Sequence, residues 1–292
     1  MARTASDTAA RRQRLVTALL LAPSSFWFLC LLLMPLAVVL VFSFGERGEA
    51  GGYQAAFTFD NYLNLPARLT AFKNTLVLAP IGTALCLLAA YPLAYYLAVK
   101  VSSRLRLALL ILVILPFWTS FLLRTYAWIV ILSGKGLPAW LAMIGIEGVR
   151  LINTPIAVLI GIVYGYLPLM TFPIFVSLER LDKRLLEASA DLGAKPLGTF
   201  RQVTLPMSLP GVVTGAMLVF ILLMGEYLIP QLLGGGKVFF IGNALVDLFL
   251  QSRNWPFGSA VAATLVILML IAVGVALRAT RGRGGERDVS LI

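Results

Sequence analysis

Glu187-Ala188-Ser189-Ala190-Asp191-Leu192-Gly193, followed by Leu205-Pro206 and Pro210, is a short polar island between two long apolar runs. Leu181, Leu185, Ala188 and Leu192 recur at three or four residues, which predicts one apolar face of a helix. Asp182 suits the N-cap of that helix, and Gly193 suits the left-handed position just past its end. Lys195-Pro196 then opens a second short helix, with Pro in its first turn and Leu197, Phe200 and Val203 as apolar positions. Leu205-Pro206 is expected to end it. Taken alone, this helix–Gly–helix elbow is an amphipathic pair fit to rest on lipid headgroups.

The flanks of the island say membrane. Of 292 residues, 60% are hydrophobic and only 13% charged, too few to clothe a water-soluble core. Six apolar runs approach or exceed the roughly 20 residues that cross a bilayer: 17–44, 74–99, 107–132, 155–178, 211–233 and 257–277. Helices satisfy their own backbone groups in lipid, and the alternating pattern of a lipid-facing barrel is absent. The first run is too long for a cleaved leader and lacks a small-residue cleavage pattern, so it is read as an uncleaved span. Cys30 and Cys86 fall inside spans, as small buried hydrophobes.

A net charge of +11 invites a nucleic-acid reading, but the placement of the charges argues against one. With the N-terminus inside, sixteen Lys and Arg fall on cytoplasmic segments: Arg3, Arg11, Arg12, Arg14, Lys100, Arg104, Arg106, Arg180, Lys183, Arg184, Lys195, Arg201, Arg278, Arg281, Arg283 and Arg287. Outside segments receive seven: Arg47, Arg68, Lys73, Lys135, Arg150, Lys237 and Arg253. This is the positive-inside bias, and it predicts cytoplasmic termini. No nucleic-acid partner is implied.

Absences narrow the chemistry. There is no His for acid–base work or metal ligation, and no G-x-S-x-G elbow. Gly234-Gly235-Gly236-Lys237 lacks the first Gly of a phosphate loop and is followed by Val238 instead of Ser or Thr. The chain is therefore expected to hydrolyse no ATP, to hold no cofactor or metal, and to be no enzyme.

Two charges lie within spans, Arg124 and Glu226, and each costs about 2.5–3.5 kcal/mol at a helix centre. Continuous helices would place them ~26 Å and ~23 Å from the cytoplasmic ends of the third and fifth spans, at similar depth. Phe117, Phe121, Arg124 and Trp128 form one stripe. Gly211 and Gly215 mark a close-packing face to which Glu226 returns at ~100° per residue, and Gly161 and Gly165 mark another. Two readings stand. In the preferred one, Arg124 and Glu226 form a structural ion pair among packing aromatics. In the other, Glu226 and aromatic neighbours such as Tyr227 line a path for a cationic solute. Pro35, Pro116, Pro168, Pro173 and Pro230 predict bends within spans.

The polar island resembles the EAA loop of binding-protein-dependent ABC importer permeases. Glu187-Ala188 begins the motif, Gly193 falls at the family's offset, and Val203 and Leu205-Pro206 close it. Ser189 replaces the second Ala and Val203 replaces Ile. The resemblance implies an all-α membrane protein of six transmembrane helices with the type I ABC importer permease fold. Residues 1–292 would form a single transmembrane permease domain. The loop 179–209, between helices 4 and 5, would hold a cytoplasmic coupling helix, with Glu187, Ala188, Ser189, Asp191, Gly193, Leu205 and Pro206 engaging an ATPase.

A second resemblance, to polyamine importer permeases, rests on five stretches and Arg124: Gly225-Glu226-Tyr227-Leu228-Ile229-Pro230-Gln231-Leu232-Leu233-Gly234-Gly235, Ile241-Gly242-Asn243, Arg253-Asn254-Trp255-Pro256-Phe257-Gly258, Leu115-Pro116-Phe117-Trp118-Thr119-Ser120 and Ser133-Gly134-Lys135-Gly136. It is strongest to the first of the two permeases of putrescine/spermidine systems. Permeases for opines, phosphonates, thiamine or ferric iron share parts of these patterns and remain alternatives. The implied assembly is a bacterial inner-membrane complex working by alternating access. It would contain this chain, a second homologous permease, an ATPase dimer carrying ATP and Mg, and an external solute-binding protein. Glu226, Tyr227, Arg124, Trp118 and Trp128 are the candidate path residues. A secondary transporter driven by an ion gradient is the competing class, but it leaves the elbow unexplained.

Overall fold

Backbone that must pair its polar groups within each segment folds as helix, and the computed structural model, which describes residues 2–284, is helical nearly throughout. Arg287 lies outside the described residues, as do the side chains of Arg3, Arg11, Arg12, Arg14, Lys183, Arg281 and Arg283. Among the described residues six helices are long and apolar enough to cross a membrane: Val16–Phe42, Leu65–Lys100, Phe121–Met143, Pro155–Glu179, Pro196–Met224 and Trp255–Arg278. The chain divides into two compact units.

The first unit comprises Met1–Leu65 and Leu248–Thr264. Helix α1 (Ala2–Phe42) carries Pro23 and Pro35 inside it and leaves large apolar side chains such as Trp27 and Leu33 exposed. A two-stranded antiparallel hairpin follows, β1 (Glu46–Arg47) and β2 (Tyr53–Gln54), then α2 (Asp60–Leu63). Phe42 stacks on Tyr53 at 4.1 Å, and Asn61 donates to the carbonyls of Ser43 and Gly45.

The second unit comprises Pro66–Asp247 and Leu265–Ile292. It contains α3 (Leu69–Tyr95), α4 (Ser103–Ile114), α5 (Phe121–Leu132), α6 (Leu137–Met143) and α7 (Pro155–Glu179). After these come α8 (Lys183–Asp191), α9 (Pro196–Thr199), α10 (Leu205–Met224), α11 (Leu228–Leu233) and α12 (Ile241–Val246). Helix α13 (Trp255–Gly284) enters this unit at Leu265.

Helices α3, α7 and α10 form the core, and small residues let their backbones approach. Ala79, Cys86, Ala90 and Ala94 are fully buried. A Cβ on Gly211 would lie 2.4 Å from the Pro173 carbonyl oxygen, and one on Gly215 would lie 3.0 Å from that of Met170. The close-packing face expected from Gly211 and Gly215 is therefore present. So is that of Gly161 and Gly165, which rest against Leu233, Ile229 and Phe121.

Four expectations need correction. The third span is not one helix: α4 ends in a 3-10 turn, Leu115–Trp118, and the chain is extended at Thr119 before α5 begins. Pro116 removes a backbone donor, and the amide and hydroxyl of Thr119 both donate to its carbonyl. The fifth span also breaks, α10 stopping at Met224 with Gly225–Tyr227 between it and α11. Leu205-Pro206 does not end the second helix of the elbow. A π-helical turn, Phe200–Thr204, joins α9 to α10, and Pro206 sits in the first turn of α10, where its missing N–H costs little. Finally, Cys86 is buried but Cys30 is only partly so.

Candidate functional site

Two places in the second unit gather the residues that the sequence singled out. The first is built on the two helix breaks. Glu226, 8% exposed, leaves α10 just after Gly225 and folds back over the start of α11. Its Oε1 accepts from the amides of Leu228 (2.8 Å) and Ile229 (3.2 Å), and its Oε2 accepts from the hydroxyl of Tyr166 on α7. A carboxylate supplied with three donors is stable within apolar surroundings. Pro230 needs no partner for a missing amide in the first turn of α11.

Arg124, one turn into α5, makes no ion pair with Glu226; the ion pairs among the described residues are Arg68–Asp247 (2.7 Å) and Arg106–Glu179 (3.0 Å). The expected structural pair is corrected accordingly. The reason is local: the chain breaks give Glu226 nearer donors. The Arg124 guanidinium lies instead over the rings of Phe117 (5.5 Å) and Phe121 (5.4 Å). Its Nε and Nη1 are buried without a hydrogen-bond partner.

Arg124, Glu226 and Tyr227 line one cavity of about 500 Å³, together with Phe117, Phe121 and Tyr166. Of the remaining candidate path residues, Trp118 is 83% exposed, and Trp128 packs edge-on against Tyr164 at 5.4 Å. Neither lines the cavity. Tyr166 was missed: nothing in its spacing separates it from the other aromatic residues of α7.

The second place is the elbow. Asp182 caps α8 by accepting from the Arg184 amide (3.0 Å), and Gly193 takes φ +81° at the bend, both as expected. The Gly193 amide reaches the Ala190 carbonyl and that of Ala194 reaches Ser189, closing the end of α8. Ser189 and Thr199 join hydroxyls across the bend at 3.0 Å. Between the two arms lies a cleft of about 590 Å³, lined by Leu185, Ala188, Ser189, Leu192 and Val203 among others. Glu187, Ala188, Asp191 and Gly193 are exposed, and so is Pro206, while Leu205 is half-buried. Leu192 is 89% exposed, although it continues the apolar face of α8.

The segments flanking the elbow are tied to the core through contacts that sequence reading did not find. Arg106 on α4 donates to Glu179, at the end of α7, and to the carbonyls of Ala98 and Val101. Tyr91 on α3 packs edge-on against Phe200 (5.5 Å) and shares a hydroxyl bond with Ser208 (2.8 Å).

Residues 90–280, which include the elbow and both helix breaks, match the family described as binding-protein-dependent transport system inner membrane component. The spermidine/putrescine transport system permease protein PotB of Haemophilus influenzae is 42% identical over 87% of this chain and 91% of its own. That of Escherichia coli strain K12 is 40% identical over 87% and 94%. A bacterial alginate ABC transporter, solved in complex with an alginate pentasaccharide-bound periplasmic protein, shares the fold at 20% identity. Its TM-score is 0.73, covering 93% of this chain and 95% of that one. With six helices among the described residues long and apolar enough to cross a membrane, the chain is a multi-pass inner-membrane protein of the ABC importer permease fold. It belongs to the binding-protein-dependent transport system inner membrane components.

Proposed function

We propose that this chain is one of two membrane-spanning subunits of an ATP-driven polyamine importer in a bacterial inner membrane. The carrying observation is the match to spermidine/putrescine permeases along most of both chains. The cavity fits this reading, since it joins aromatic faces to a buried carboxylate at the helix breaks. Glu226, Tyr227 and Arg124 belong to the solute path, and the path is completed by a second, homologous permease.

The termini face the cytoplasm, in keeping with the Lys and Arg asymmetry, so the elbow lies on the inner side. There α8 acts as the coupling helix. Leu192 and Leu197, 89% and 68% exposed, supply an apolar tip for a groove on one ATPase subunit, and Glu187 and Asp191 supply its polar flank. ATP and Mg are bound by the ATPase dimer, and this chain holds no cofactor. Closure of that dimer pushes the elbow, which passes the displacement along the chain to α7 and α10 and, through Phe200 and Ser208 on Tyr91, to α3. The outside-facing state accepts solute from a binding protein, and hydrolysis restores the inside-facing state.

Uptake by the reconstituted complex, screened with spermidine, putrescine, an opine, thiamine and ferric iron, tests the substrate class. Uptake of the two polyamines alone is the expected result. Uptake of any of the others in their place contradicts it.

A further inference from the structure

Arg124 combines features that the transport reading leaves unexplained. Two of its guanidinium nitrogens are buried without an acceptor, an expensive state for a cation. The carboxylate that lines the same cavity is already supplied by Tyr166 and by two backbone amides. What holds the guanidinium is a pair of aromatic faces, Phe117 and Phe121, at 5.5 and 5.4 Å.

Two rings beside a cavity that also contains a carboxylate make a seat for an alkylammonium group. We propose that this seat is a subsite for one ammonium of the transported solute, and that Arg124 occupies it as a tethered competitor between transport events. The proposal rests on the polyamine reading and deepens it. An arriving ammonium takes the ring faces, and the displaced guanidinium gains the acceptors it lacks over the rings. One fixed positive charge against one negative keeps these two groups from trapping a polycation. A path needs binding strong enough to admit a solute and weak enough to release it. Arg124 thereby sets the affinity, while the ring faces and the carboxylate supply the preference for an ammonium group.

The test uses the assembled complex in lipid nanodiscs without its solute-binding protein, probed with radiolabelled putrescine and with butylammonium as competitor. Assembly is checked by co-purification of all subunits. Arg124→Gln is expected to bind putrescine roughly tenfold more tightly than wild type, the size of one desolvated cation–π contact. Arg124→Met should do the same, and Arg124→Lys should stay as weak as wild type. Adding Phe117→Leu and Phe121→Leu to Arg124→Gln should abolish the gain. An assembled Arg124→Gln complex with no gain overturns the subsite, as does a gain that survives loss of both rings or appears in Arg124→Lys. Polyamine uptake by wild type, measured alongside, separates the two failures. Its absence sinks the proposed function, whereas intact uptake with no gain sinks the subsite alone.

Discussion

Glu226 is buried at 8% exposure although it lies two residues beyond the end of α10. Helical periodicity counted from Gly215 turned it toward the protein interior, and it is interior, but α10 ends at Met224 and the count does not reach it. Its burial comes from the break itself, where Gly225 releases the chain and the carboxylate caps α11. The ion pair with Arg124 failed for the same reason, because nearer donors satisfied the acid. Tyr166→Phe should remove one of those donors and destabilise the purified complex by about 1–3 kcal/mol, seen as a lowered thermal midpoint. An unchanged midpoint would show that water replaces the hydroxyl freely. Gly193 is the simpler case, read directly from its place after Leu192. Nothing lies within 4 Å of a Cβ built there, so Gly193→Ala meets only the left-handed backbone penalty, about 1–2 kcal/mol. The elbow should accordingly loosen without change in the membrane bundle, as measured by faster amide exchange confined to 183–204.

Among the helices, legibility followed the strength of the local signal. The fourth span, read as 155–178 from its unbroken apolar run, is α7 to within a residue, and the structure adds a Thr154 cap at its start. The caps of α8 were equally plain. The third and fifth spans were drawn as single rods because apolar composition runs straight through both breaks, and hydropathy does not register a change of backbone direction. Pro116 and Pro230 were noticed, but proline alone does not separate a bend from a break: Pro168 and Pro173 sit inside an intact α7. Arg106–Glu179 and Tyr91–Ser208 join residues too far apart in the chain for any spacing rule. The glycine faces were legible and make a sharp prediction. Gly211→Leu should drive α10 off α7 and cost about 1–3 kcal/mol or prevent assembly. Gly274→Leu on α13, where nothing lies within 4 Å, should be silent. Equal yields and equal thermal midpoints for the two variants would rule out close α7–α10 packing.

In the proposed mechanism these parts form a lever. The elbow stands exposed at one end of α7 and α10, and the candidate path lies where α10 gives way to α11. Helix α10 runs between them, so in the proposed mechanism movement imposed on the elbow travels along α10 to the break that holds Glu226. The orientation that this requires is open to a direct check. Leu192→Cys should react with a membrane-impermeant maleimide only in inside-out vesicles, and Lys237→Cys only in right-side-out ones. The most direct measurement is ATP turnover of the full complex in vesicles, with and without polyamine-loaded binding protein, comparing wild type with Gly193→Pro. The expected result is stimulation in wild type and loss of stimulation in an assembled Gly193→Pro complex. Equal stimulation in both, or uptake by this chain unaided on an ion gradient, would contradict the account.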